Sequence, residues 1–246
     1  MSADWLSTPA DPAALYGESA FSTLRTRHGV PLLLEAHLER LRGTCRLLGL
    51  PDPPAADAVR EDAARHPHPW GRYRLTVTAH GVWSQHLPLP AVPEAQRAGA
   101  DVWLSGWRVH PQLAAHKTGN YLPYRLAALE AVGQGALEAL LLSSDGGRVA
   151  DGSRSSPLLE VEGELWVPSG GLQSVTRAAL LAAWGRPWRE VELRPEDLCR
   201  AQHLWLCGSG LGVLPVARVR GAHLALSFAA RALPFEDERF RVPDGS

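Results

Sequence analysis

The stretch His116-Lys117-Thr118-Gly119-Asn120-Tyr121-Leu122-Pro123 holds the only lysine and the only asparagine of a 246-residue chain. The other 24 basic residues are all arginine, and isoleucine is absent. A compositional bias accounts for such scarcity if it replaces Lys, Asn and Ile wherever Arg, Asp or Ser, and Val or Leu serve as well. The survivors then mark positions where no substitute works. Arginine equals lysine as a charge and as a donor, but its guanidinium is not a usable nucleophile, whereas a neutral lysine amine can form a Schiff base. Lys117 is therefore the candidate for covalent amine chemistry.

Outward from this stretch the chain reads as an ordinary globular protein with 45% hydrophobic and 21% charged residues, long enough for one large domain or two modest ones. No apolar run reaches the roughly 18–20 residues of a membrane helix. The start, Met1-Ser2-Ala3-Asp4, lacks a basic and apolar leader, so a cytoplasmic location is expected. A net charge of −1 leaves no electrostatic footprint for nucleic acid or an anionic membrane, and a small-molecule partner is the class that remains. Cys45, Cys199 and Cys207 are odd in number and show no paired spacing, which suits reduced thiols. His66-Pro67-His68 has no carboxylate or cysteine at metal-ligand spacing, so no metal site is expected.

Turn signals and periodicity divide the chain. Phe21 to Thr26, His28-Gly29 and Pro31 to Leu34 read as a hairpin, followed by a helix with its apolar stripe at Leu38, Leu41, Cys45 and Leu48. A short helix is expected between Pro51 and Pro69, then strands at 74–78 and 82–83 joined through His80-Gly81. Residues 89–96, rich in proline, read as a linker between a small domain at 1–88 and a larger one at 97–246. Beyond it come a strand at 102–104, a loop through Pro111, a helix from Leu122 to Val132, and strands at 139–143, 148–150, 158–161 and 165–167. A helix from Val175 to Trp184 and strands at 204–207 and 213–219 follow. Tight turns between most strands predict an α+β fold with antiparallel or mixed sheets. The glycine cluster Gly208-Ser209-Gly210-Leu211-Gly212 fails as a dinucleotide fingerprint, because Pro215 interrupts any helix after it.

The lysine stretch resembles the lysine motif of the class IV pyridoxal-phosphate aminotransferases and lyases. Other blocks continue the resemblance in order: Tyr16 to Arg25, His37-Leu38-Glu39-Arg40-Leu41, Glu138 to Leu142, Val149 to Ser156, Ser174 to Arg177, and Gly208 to Val216. The resemblance implies the type IV fold of that family, with a small N-terminal α/β domain and a larger C-terminal mixed-sheet pseudobarrel domain. It implies pyridoxal 5'-phosphate as cofactor and a homodimer. Lys117 would be the catalytic, cofactor-bearing residue. The cofactor would be held by Arg40, Val175, Thr176 and Ser209 around its phosphate, and by Asp151 at its ring nitrogen, where the family usually has Glu. Arg40 lies on a polar stripe with His37 and Thr44, and Val175-Thr176 open a helix, whose free N–H groups favour an anion. Ser156 stands where the family commonly has Asn. Strand 74–78 runs into Ala79-His80-Gly81 instead of the Arg-Gly and glycine-rich loop of many relatives, which leaves the substrate carboxylates to other residues. Thr23, Arg25 and Arg108 are the candidates. Within the family, 111–117 and 206–216 look most like the aminodeoxychorismate lyases. A transaminase acting on branched-chain or D-amino acids, or a cofactor-binding protein without turnover, are the alternatives.

Overall fold

The computed structural model describes residues 11–233 and 237–245. The elements in chain order are α1 (Pro12–Tyr16), β1 (Ala20–Arg27), β2 (Val30–Pro31), α2 (Leu34–Leu48), α3 (Ala56–Ala64), β3 (Trp70–Thr78), β4 (Gly81–Pro88), α4 (Glu94–Arg97) and β5 (Ala100–Val109). They continue with α5 (Pro111–Ala114), α6 (Leu122–Gly133), β6 (Glu138–Ser143), β7 (Val149–Gly152), β8 (Ser156–Val161), β9 (Glu164–Pro168), α7 (Val175–Trp184) and β10 (Trp188–Val191). A 3₁₀ turn at Pro195–Arg200, β11 (His203–Gly208), β12 (Gly212–Gly221) and β13 (Leu224–Ser227) complete the described chain.

The first sheet, ordered β2-β1-β3-β4, is wholly antiparallel. Its strands alternate. Ala20 and Leu24 of β1 and Tyr73, Leu75 and Val77 of β3 turn one face towards Leu34, Leu38, Leu41 and Cys45 of α2, with Val59 and Ala63 of α3 closing the cluster. Burying each leucine contributes roughly 1.5–3 kcal/mol, so this face fixes the register of the sheet. The alternate residues Phe21, Thr23, Arg72 and Arg74 are thereby committed to the opposite face, which borders the cavity described below.

The second sheet runs β10-β9-β8-β11-β12-β5-β6-β7, with β13 also on β12. It is mixed: β12 pairs parallel with β5, β5 with β6 and β9 with β10, and the other pairings are antiparallel. Strand β12 belongs to two curled halves. Residues 212–215 pair with β11, and after an irregularity between Val216 and Arg218 the strand pairs with β5 and β13. Pro215 sits at the change of partner, where its lack of an N–H does least harm. Leu140, Leu159, Leu206, Leu214 and Val219 fill the space between the halves. Helix α6 covers β5 and β6 through Ala127 and Ala131, and α7 covers β8 and β11 through Leu180 and Trp184.

Most of the expected elements are present, α1, α4, β10 and β13 are additional to them, β4 runs on from 82–83 to Pro88, and further details differ. The second hairpin strand, expected over 31–34, is only Val30–Pro31, because Leu33 adopts a left-handed conformation (φ 56°) and α2 begins at Leu34. Leu34 therefore joins the buried stripe, and Leu48 is only half-buried. The loop through Pro111 contains a helical turn, α5, with proline at its start. Residues 89–96 are packed and stitched: Leu89 and Val92 are buried, and their N–H groups donate to the carbonyls of Trp70 and Pro243.

Arg25 joins the two parts of the molecule. It is buried, and its guanidinium donates to the carbonyl oxygens of Ser209 (2.9 Å), Glu238 (3.0 Å) and Arg241 (2.6 Å). Arg25→Ala leaves three carbonyls without their donor and should lower the unfolding free energy by about 2–4 kcal/mol. Denaturant titration measures this as a lower midpoint, and a change below about 0.5 kcal/mol would contradict the assignment.

Candidate active site

A cavity of about 410 Å³ lies between the two sheets. Phe21, Thr23, Arg72 and Arg74 reach it from the first sheet and Arg40 from α2, while Lys117 comes from the loop between α5 and α6, Asp151 from β7, Val175 and Thr176 from α7, and Ser209 from the turn between β11 and β12.

The lysine is positioned by main chain. Phe21 N–H donates to Lys117 O (2.9 Å) and Gly119 N–H to Ser19 O (2.8 Å), so the lysine loop adds a short bridge to the end of β1. The approach is close enough to demand glycine on both sides. A Cβ on Gly119 would stand 2.5 Å from Gly17 O, and one on Gly17, whose φ is 66°, would stand 2.9 Å from Gly119 C. Lys117 Nζ donates to Tyr121 Oη (2.9 Å) and lies 4.8 Å and 4.5 Å from the ring centres of Phe21 and Tyr121. Phe21 and Tyr121 meet edge to face, and Tyr121 stacks on Tyr124. The aromatic faces favour an ammonium, and Asp151 does too. Burial and the positive charge of Arg40 outweigh them and bring the Lys117 pKa down to about 7.

An anion cradle faces the amine. Arg40 donates to Ser22 Oγ (3.0 Å) and Gln173 O (3.3 Å), while its buried Nε has no partner among the described residues. Burial, partly offset by Tyr121 and Asp151, brings its pKa down to about 10, so it stays a cation. Next to it, α7 begins at Val175 with Ser174 as its N-cap, and the first-turn N–H groups point out of the helix. Thr176 Oγ1 and Ser209 Oγ are 3.4 Å apart, and Ser209 Oγ is 3.3 Å from His37 Nε2. His37 is buried beside Ser22 and Arg40, and burial, then Arg40, holds its pKa well below the usual histidine value, so it is neutral.

Asp151 is buried on β7. It accepts hydrogen bonds from Ser156 Oγ (2.9 Å) and from the N–H groups of Gly152 (3.1 Å) and Leu172 (3.3 Å). Burial raises its pKa to about 6 against the opposing pull of Arg177 and the Ser156 hydroxyl. A nearby cation would hold it ionised at neutral pH. Ser156, the departure noted in the sequence, thus orients this carboxylate.

The structure brings together Lys117, Arg40, Asp151, Val175, Thr176, Ser209 and Thr23. It does not bring Arg25 or Arg108 to the cavity. Arg25 gives Nε and Nη1 to backbone carbonyls and lies outside the cavity lining, and Arg108 donates to Ser143 O (3.1 Å) beside Gly147. Arg72 and Arg74 line the cavity instead. The strand alternation Arg72-Tyr73-Arg74-Leu75 is the signal in the sequence that places these two arginines on one face.

A unique amine, an anion cradle at a helix N-terminus and a buried carboxylate around one cleft are the parts that a type IV pyridoxal-phosphate fold presents to its cofactor. The chain belongs to the amino-transferase class IV family, whose pattern matches residues 19–219. A solved structure provisionally assigned as a 4-amino-4-deoxychorismate lyase is 46% identical, with a TM-score of 0.77 over 85% of this chain and 88% of the other. The structure of 4-amino-4-deoxychorismate lyase from Pseudomonas aeruginosa is 29% identical, with a TM-score of 0.77 over 90% of each chain. A bifunctional aminodeoxychorismate lyase / D-amino acid transaminase of Mycobacterium tuberculosis (strain ATCC 25618 / H37Rv) is 30% identical over 239 residues, 81% of each chain. No helix among the described residues is long and apolar enough to cross a membrane.

The lowered pKa of Lys117 has a kinetic signature. The neutral amine is the nucleophile, so the reaction of apoprotein with pyridoxal phosphate should quicken as pH rises through about 7 and then level off. Stopped-flow absorbance measures the rate. A rise that continues towards pH 10 would mean an ordinary, solvated lysine.

Proposed function

We propose that this chain is a pyridoxal-phosphate-dependent lyase that converts 4-amino-4-deoxychorismate to 4-aminobenzoate and pyruvate. The observation that carries the reading is the placement of Lys117, its pKa near 7, between the anion cradle and buried Asp151 in one cleft. The lyases among the similar proteins supply the substrate.

The residues fit the cofactor. Arg40 has a buried N–H to spare, and it would hold the phosphate with the N–H groups of Val175 and Thr176 and the hydroxyls of Thr176 and Ser209. Asp151 would hold the proton on the ring nitrogen, its own orientation fixed by Ser156, Gly152 and Leu172. When bound, pyridoxal phosphate supplies an electron-poor ring that acidifies the C–H beside the substrate's amine. Lys117 Nζ, about half neutral near pH 7, takes the proton from C4. The C3–O bond breaks, the ring becomes aromatic, and the released enolpyruvate regains one proton as pyruvate, for which the Lys117 ammonium is the donor at hand. Tyr121, whose pKa burial raises, keeps its phenol proton and receives the Lys117 hydrogen bond.

A transaminase reading draws on the M. tuberculosis relative, which carries both activities in its name. The two are separated by reagent: the lyase needs no 2-oxo acid. Purified protein given 4-amino-4-deoxychorismate alone should release stoichiometric pyruvate. Transfer from D-amino acids to a 2-oxo acid without any pyruvate release would favour the transaminase.

A homodimer is part of the proposal. Leu122, Leu129 and Val132 lie on one exposed side of α6 at helical spacing, an apolar stripe suited to a second subunit. Sedimentation at micromolar concentration should give a dimer, and an active monomer would contradict it.

Borohydride should fix the cofactor on the peptide carrying Lys117, and a label elsewhere would refute its role. Arg40→Ala should weaken cofactor binding about tenfold or more. Asp151→Asn should keep the cofactor and slow elimination about 10- to 1000-fold, the equivalent of one to three pKa units at the ring nitrogen. Pyruvate release at the unaltered rate would make Asp151 a turn residue.

A further inference from the structure

On the cavity face of the first sheet, Thr23, Arg74 and Gln85 stand side by side across β1, β3 and β4, and Arg72 lies two residues along the same face. The two arginines lack the partners that the other cavity cations have. Arg154 reaches Leu137 O and the buried carboxylate of Glu138, and Arg40 belongs to the phosphate cradle. The Arg72 side chain makes no hydrogen bond or ion pair with any described residue. Arg74 donates to Thr76 Oγ1 (3.3 Å) and stacks over Phe21, its guanidinium carbon 3.7 Å from the ring centre. No carboxylate of the described chain offsets either charge, and burial and the neighbouring Arg72 both press on Arg74. Two like charges on one strand face of a partly dry cleft are stabilised by anions placed between them and the reacting centre.

We propose that Arg72 and Arg74, flanked by Thr23 and Gln85, form an anion subsite that takes the two carboxylates of a dianionic amine substrate. The assignment rests on the proposed function for its orientation, because Lys117 Nζ and the Arg74 guanidinium lie within 5 Å of the same Phe21 ring. A substrate whose amine is at Lys117 therefore presents its body to this wall. 4-Amino-4-deoxychorismate carries a ring carboxylate and an enolpyruvyl carboxylate, one for each guanidinium. An amino acid with a single carboxylate leaves one arginine unmatched. The subsite takes over the role that the sequence had assigned to Arg25 and Arg108. It also answers the absence of the glycine-rich arginine loop after β3.

The test uses holoenzyme and two probes that cannot be turned over, because neither carries both the amine and the enolpyruvyl ether. Chorismate has both carboxylates and no amine, and 4-aminobenzoate has one carboxylate. Calorimetric titration should show chorismate bound about tenfold or more tightly than 4-aminobenzoate. R72Q and R74Q should each weaken chorismate binding about tenfold or more, with cofactor affinity held within twofold. R72K and R74K, which keep the charge without the fork, should fall between. In turnover the Gln variants should raise KM by a larger factor than they lower kcat. Chorismate affinity unaltered in both Gln variants, or no greater than that of 4-aminobenzoate, overturns the subsite. Arginine-dependent chorismate binding with no pyruvate release from 4-amino-4-deoxychorismate sustains the subsite and removes the proposed reaction. Pyruvate release with KM indifferent to both arginines does the reverse.

Discussion

The bridge between the lysine loop and β1 is the contact on which the site depends. Two main-chain hydrogen bonds, Phe21 N–H to Lys117 O and Gly119 N–H to Ser19 O, tie a loop of the large sheet to the first strand of the small one. They set the height of the amine above the cleft without using any side chain. The same strand then spends its alternate residues on two tasks: Ala20 and Leu24 hold α2, while Phe21 and Thr23 face the cavity. Slipping β1 by one residue would exchange these faces and remove the ring against which both Lys117 and Arg74 lie.

Around that fixed point the cleft is organised by unequal charges. Lys117, Arg40, Arg72 and Arg74 are cations or potential cations, and Asp151 is the acid that lines the same cavity. Burial lowers Lys117 and raises Asp151, so each is moved towards its neutral form before any ligand arrives. Arginine resists the same treatment because its intrinsic pKa is so high. The protein therefore keeps permanent charges for holding anions and a labile one for moving a proton. The compositional bias sharpened this division by leaving lysine only where a labile proton is required.

The fold was legible where one physical signal dominated. The apolar stripe of α2, the limits of α7 and the turn-separated strands follow from periodicity and breakers alone. Leu33 shows what such signals miss, since nothing in Pro31-Leu32-Leu33-Leu34 announces a left-handed residue before a helix. At the site, the rarity of Lys117 and the ordered motifs around Arg40, Asp151 and Thr176 single out four residues that line one cavity. Arg25 and Arg108 lie outside the cavity, because an arginine's destination depends on which carbonyls the tertiary fold delivers to it. Arg72 and Arg74 carry the opposite lesson: their shared face is written in the strand alternation, but the missing carboxylates are visible only in three dimensions.

Residues 237–245 form a strap alongside β12 and the segment at Val92 that lines the cleft. Phe240 is buried against Trp205 and Val213, the carbonyls of Glu238 and Arg241 receive Arg25, and Pro243 receives Val92. Three segments far apart in the chain, Arg25 of β1, Val92 on the cavity wall and Val213 of β12, thus share one anchoring stretch, and the main-chain carbonyls of that stretch serve as the common acceptors that hold them in register with one another.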